Sequence, residues 1–158
     1  MNIIRYIFVI ILSITIGFFA FRFYDNFSES SEINTFLEEA YVISSLHQEA
    51  AKKYGKLINF DELNRDEFES TFIEIIRDAQ EANNILINSE SSYTGAEREL
   101  LEIATKSWLK GLETFQVSIL NLVDQEYSQL LEESIAESIT SLSVGDKAYS
   151  NFLSEIKI

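Results

Sequence analysis

The sequence predicts an all-α protein: one N-terminal transmembrane helix followed by an antiparallel helical bundle. Three observations carry the prediction. Residues 6–21 are uncharged, proline is absent from all 158 residues, and beyond Glu32 the apolar residues recur at spacings of three and four rather than two. Charge and hydropathy divide the chain in the same way. Twelve basic and 26 acidic residues leave a net charge of −14, yet the mean hydropathy is +0.01. Residues 1–24 hold two arginines and no acid, so the remaining residues hold ten bases, all 26 acids and a charge of −16. An apolar, slightly basic head precedes an acidic body.

The head, residues 1–24, reads as a signal-anchor that holds the lipid bilayer through residues 3–24. About 22 residues at ~1.5 Å rise make roughly 33 Å of helix, matching a hydrocarbon core of about 30 Å. Arg5 and Arg22 flank the span, where their long stems let the charges reach the headgroups. Tyr6 and Tyr24 fall at interfacial positions, and Ser13, Thr15 and Gly17 are tolerated inside a span. A cleaved signal peptide is the competing reading. It lacks a small-x-small site, since Phe18 stands two residues before Ala20. With a five-residue tail ahead of the span, the N-terminus is expected in the cytoplasm and the body outside it, in or at the cell membrane. Residues 25–31 read as a juxtamembrane linker, and 32–158 as the acidic bundle.

The first body helix is expected over Glu32–Tyr54, with Ser31 as N-cap. Ile33, Phe36, Ala40, Ile43, His47, Ala50 and Tyr54 form an unbroken heptad stripe, which Leu37, Tyr41, Leu46 and Ala51 widen. Gly55, just after Lys52 and Lys53, suits a C-cap. After a connector over Lys56–Leu63, Asn64 and Glu67 have capping-box spacing. The second stripe is Phe68, Phe72, Ile75, Ala79, Ala82 and Leu86, ending near Asn88.

A polar turn follows, and Thr94 with Glu97 forms a T-x-x-E capping box ahead of the third helix. Leu101, Ala104, Trp108, Leu112, Phe115, Ile119 and Leu122 mark its core face. Gly111 inside it costs roughly 1 kcal/mol against Ala unless a neighbour packs close. The rest is apolar at Tyr127, Leu130, Leu131, Ile135, Ile139, Leu142, Val144, Ala148, Tyr149, Phe152 and Ile156. Length matching places a break in Asn121–Glu126 and gives four helices. The alternative is three, with one very long helix to Leu142 and Ser143 and Asp146 capping a short last one. The string SESS, at Ser28–Ser31 and Ser89–Ser92, reads as helix-start chemistry rather than duplication.

Function classes narrow quickly. A charge of −16 disfavours nucleic acid, and zero cysteines exclude disulfides and thiolate chemistry. His47, the single histidine, lies on a core stripe with Ser44 three residues before it, so no Glu-x-x-His site forms. It reads as a histidine at the bundle edge, hydrogen-bonded to a neighbour. The densest acid cluster is Asp61, Glu62, Asp66, Glu67 and Glu69. Position six from Asp61 is Asp66 rather than glycine, so the cluster fails as an EF-hand. Its members are candidates for cation contact, against the simpler reading of acids gathered at a helix start. No catalytic motif occurs, and neither enzymatic activity nor a cofactor is expected.

The expected function is therefore that of a structural or protein-interaction module of the cell envelope, partnered by another envelope protein or by self-association. The alternative is an extracytoplasmic ligand-sensing or substrate-binding four-helix domain. In general layout the chain is similar to the four-helix extracellular domains of bacterial chemoreceptors, a likeness of fold alone. Those receptors return through a second span, whereas this sequence stops at Ile158, so a sensor of this kind is expected to need a separate partner.

Overall fold

Helices occupy the segments in which the heptad stripes run. The structure, a computed structural model, describes residues 31–57, 65–124 and 129–156. Helix α1 spans Ser31–Leu57, α2 Arg65–Ile87, α3 Ala96–Val123 and α4 Gln129–Glu155, with no strand among the described residues. No described helix is long and apolar enough to cross a membrane. The span expected over residues 1–24, with Arg5 and Arg22, lies outside the described residues. So do residues 25–30 of the expected linker, whose last residue, Ser31, opens α1.

The four helices alternate in direction. Tyr54 meets Phe72 between α1 and α2, Phe72 meets Phe115 between α2 and α3, and Phe36 meets Phe152 between α1 and α4. Gly111 sits against Leu142, and Trp108 bonds to Asp146, between α3 and α4. Rising numbers on one helix meet falling numbers on the next at each seam, the mark of an up-down-up-down bundle. Every residue of the second stripe is buried, as is every residue of the first except half-buried Ile33. Each fully buried Phe, Ile or Leu adds roughly 1.5–3 kcal/mol over an exposed one.

Several local expectations need correction. Helix α1 does not stop at a Gly55 C-cap but continues to Leu57, because Leu57, only 2% exposed, gains core contacts by extending the helix. Thr94 does not cap α3: the N-cap is Gly95, with no side-chain capping bond. Glu97 instead accepts a hydrogen bond from the Tyr93 hydroxyl at 2.5 Å, which removes the glutamate from a capping box. The very long third helix is excluded by the turn at Asp124, whose N–H bonds back to Leu120 O. The stripes also taper: Tyr41, Leu122, Leu130 and Val144 are exposed.

The seams are built differently. α3 and α4 approach most closely because small residues line both. A Cβ on Gly111 would stand 2.6 Å from Leu142 Cγ, and one on Gly145 would stand 2.5 Å from Trp108 Cδ1. The helix cost of these glycines is thus offset by close packing. Their hydroxyl neighbours are bonded across the seam, Ser138 to Gly111 O at 3.1 Å and Ser118 to Ser134 at 2.9 Å. α1 and α4 are instead bridged by long side chains: Phe36 edge-on to Phe152, and the Tyr149 hydroxyl donating to Ser44 at 2.8 Å.

The loop joining α2 to α3 is stapled to the bundle. Arg98 donates to Leu86 O, Ser91 O and Tyr93 O, while Ser91 donates to Glu32 O and Glu39 accepts from Ser89 and the Glu90 N–H. These bonds satisfy backbone groups that a buried connection otherwise leaves unpaired.

Candidate functional site

Polar side chains enter the core at one height of the bundle. His47 is on the first stripe because the heptad spacing continues through it, and only 4% of it is exposed. Its ring stands edge-on to Trp108, with centroids 4.5 Å apart. This corrects the reading of a hydrogen-bonded histidine at the bundle edge: the residue is in the core, and its Nε2 has no hydrogen-bond partner among the described residues. Burial alone pushes its pKa down from 6.5 to about 3, because the charged imidazolium loses its hydration. His47 is neutral throughout the neutral range.

Trp108 organises the rest. Its Nε1 donates to Asp146 Oδ1 at 2.9 Å, its indole lies on Gly145, and its ring packs at a tilt against Tyr149, centroids 5.2 Å apart. Asp146 Oδ2 is buried without a partner. Desolvation raises the Asp146 pKa from 3.8 to about 6, with the Trp108 bond working the other way. Burial likewise raises the pKa of Tyr149, against the opposing hydrogen bond with Ser44.

Two further orphaned groups share this height. Thr105 Oγ1, on a residue with no exposure, and Asn83 Oδ1 are buried and unpartnered. Thr105 is one turn from Trp108 on α3. The register set by Phe72 against Phe115 and Gln80 against Glu113 carries Asn83 to the same height on α2. Each helix thus contributes one orphaned polar atom, from His47, Asn83, Thr105 and Asp146. Leaving a buried polar group without any partner costs roughly 1–3 kcal/mol.

Beside this layer lies a cavity of about 20 Å³, lined by His47, Ala50, Ala51, Tyr54, Ile75, Trp108, Leu112 and Leu142. It falls between two aromatic clusters. Phe36, Tyr93, Tyr149 and Phe152 fill one end of the bundle; Tyr54, Phe68, Phe72 and Phe115 fill the other. At the cavity α1 presents Ala50 and Ala51 between His47 and Tyr54, and the alanines are too small to close the gap.

The acid cluster is not assembled in this way. Asp61 and Glu62 lie outside the described residues, and Asp66 and Glu67 are exposed in the first turn of α2. Glu69 pairs with Arg65 at 2.7 Å, and Arg65 also grips Asp124 at 2.8 Å, which lowers the Asp124 pKa. Among the described residues no three of His, Asp or Glu converge as a metal site. A second buried acid, Asp78, is neutralised by Lys53 at 2.6 Å.

Asp146 was the functional candidate that sequence reasoning passed over. It sits four residues after Leu142 and three before Tyr149, so the heptad phase already placed an acid on the core face. Trp108 was legible as core, though its role as the junction of His47 and Asp146 was not. Comparison with protein-family models, with curated proteins and with solved structures finds no match.

Proposed function

We propose that the chain is a membrane-anchored helical bundle standing outside the cytoplasm, which works by binding another envelope protein or a second copy of itself rather than by catalysing a reaction. One observation carries this reading: an uncharged run, Tyr6–Phe21, precedes a body, residues 25–158, that holds all 26 acids. With its flanks, residues 3–24, the run has the length of a bilayer span, and the acids keep the body off anionic lipid. Docking is supported by large apolar side chains standing on this otherwise charged surface: Ile73, Ile87, Val117 and Leu130 are each more than half exposed.

Protease treatment of intact cells is expected to digest the body, and alkaline extraction to leave the chain in the membrane fraction. A protected body overturns the orientation; release by alkali overturns the anchor. Cross-linking in the native membrane is expected to trap a dimer or one defined partner, and recovery of monomer alone overturns the interaction reading.

A second reading, a ligand-sensing domain signalling through a separate partner, is favoured by the polar atoms of His47, Asn83, Thr105 and Asp146 left without partners in the core. Ligand binding to the folded state raises the unfolding midpoint. A panel of small polar compounds is therefore expected to include one that stabilises the full-length chain, and a panel without such a compound removes this reading for its chemistry.

A further inference from the structure

We infer that α1 carries a docking stripe for a second copy of this chain, and that two copies pair there with their α1 helices parallel and in register. The inference rests on the docking reading and narrows its partner to one; the parallel sense rests on the anchor.

The stripe is Leu37, Tyr41, Ser44, Gln48, Ala51 and Gly55, with spacings of 4, 3, 4, 3 and 4. It repeats the heptad period of the core stripe one flank over, so all six share one face of α1. None of them is fully buried: Tyr41 is 52% exposed and the others are half-buried. A Cβ on Gly55 meets no described heavy atom within 4 Å. The bundle covers the core stripe of α1 and leaves this second one at its surface. Ser44 accepts the Tyr149 hydroxyl, which sets the stripe along the lip of the wide α1–α4 seam.

Charge selects the occupant. Residues 25–158 carry −16, so two such bodies repel unless they meet where no acid stands. Helix α1 holds four glutamates and three lysines, and every one lies off the stripe. A basic partner is better met by those acids than by a face without charge. Identical heptad faces are self-complementary in a parallel pair, each residue meeting its own counterpart across a two-fold axis. Gln48 suits the middle of such a seam, because a lone uncharged polar side chain there bonds its own copy and fixes the register. Six positions along about 27 Å of helix make a small interface. Pairing is therefore weak between free bodies and favoured when one bilayer holds both chains and raises their effective concentration.

The test uses the full-length chain in its native membrane. The chain has no cysteine, so single introduced cysteines report pairing without background. An added mild oxidant is expected to join Tyr41→Cys, Gln48→Cys and Gly55→Cys into disulfide dimers, since positions seven apart recur on one seam. Val42→Cys, Glu49→Cys and Lys56→Cys, each one residue further on and exposed, are expected to stay monomeric. Adding Gln48→Glu to Tyr41→Cys puts an acid on the seam and is expected to abolish its dimer. Monomer from every stripe variant, or equal yields from the two sets, overturns the inference. A dimer at Gln48→Cys alone marks antiparallel pairing and overturns it too, as does a dimer confined to Val117→Cys on α3. Capture of a different protein at the stripe positions overturns the second copy while leaving the docking reading standing, and alkaline extraction of the same membranes scores the anchor separately.

Discussion

The two seams of α4 solve one packing problem in opposite ways. Against α3, glycine and serine let the backbones close, and two buried serine hydroxyls find partners across the gap: Ser138 on Gly111 O, Ser118 on Ser134. Against α1, large rings hold the helices apart, and the polar atoms near His47 and Asp146 go unpaired within the chain. Small residues bring donors within reach of carbonyls, whereas across the wide seam only a long side chain reaches, as the Tyr149 hydroxyl reaches Ser44.

Breaking the tight seam is expected to have the largest effect. Gly145→Val forces branched carbon into the Trp108 indole, 2.5–3.0 Å from where a Cβ stands. A loss of about 3 kcal/mol is expected, read as a lower urea midpoint. The wide seam has nothing as intolerant.

The next effect is on the pH dependence of stability. The folded-state pKa of His47 lies at about 3 against 6.5 for an unperturbed histidine. Between those values the unfolded chain binds one more proton than the folded one, so stability falls as pH falls, by up to about 1.4 kcal/mol per unit. Asp146 has the opposite sign. Its folded pKa of about 6 against 3.8 means that the folded chain holds the extra proton, so stability falls as pH rises through that window. The two contributions oppose each other between about pH 4 and 6. His47→Leu is expected to leave a chain that loses less stability on acidification below pH 6.5, measured by urea unfolding across pH; an unchanged difference between wild type and variant counts against the burial of the histidine.

Asp146→Asn keeps an acceptor for Trp108 Nε1 and removes the ionisation. At pH 7 it is expected to stabilise the chain by on the order of 1–2 kcal/mol, discounted for the partial exposure of the carboxylate. At pH 3 the gain is expected to vanish. A smaller loss, about 1 kcal/mol, is expected for Ser44→Ala, which leaves Tyr149 without its one cross-seam hydrogen bond. Smallest of all is Arg65→Ala: its ion pairs with Glu69 and Asp124 are solvent-exposed, and the midpoint is expected to stay within measurement error.

Much of the fold was legible from spacing. The second stripe, Phe68 through Leu86, is buried residue for residue, because heptad periodicity already states which face of a helix can leave water. The turn between α3 and α4 also falls where length matching put it. Caps were less legible. A T-x-x-E box competes with every other use of its glutamate, and Tyr93 takes Glu97. The candidate site was least legible. His47 was visible on its stripe, but whether a stripe position keeps its hydrogen-bond partner depends on what faces it. Asp146 was overlooked because an acid beside a glycine resembles a cap until Trp108 is seen lying across both.

Periodicity, then, settled helix positions and core faces, because side-chain direction along a helix is a local property that repeats with the backbone. The difference between the two seams, the cavity beside Ala50 and Ala51, and the meeting of His47 and Asp146 at Trp108 were decided only by the packed structure. Each depends on residues dozens of positions apart, Trp108 with Asp146 and Ser44 with Tyr149, meeting at one height. No local pattern records which rings will stand between two backbones, and that distance determines whether a buried polar atom finds its partner.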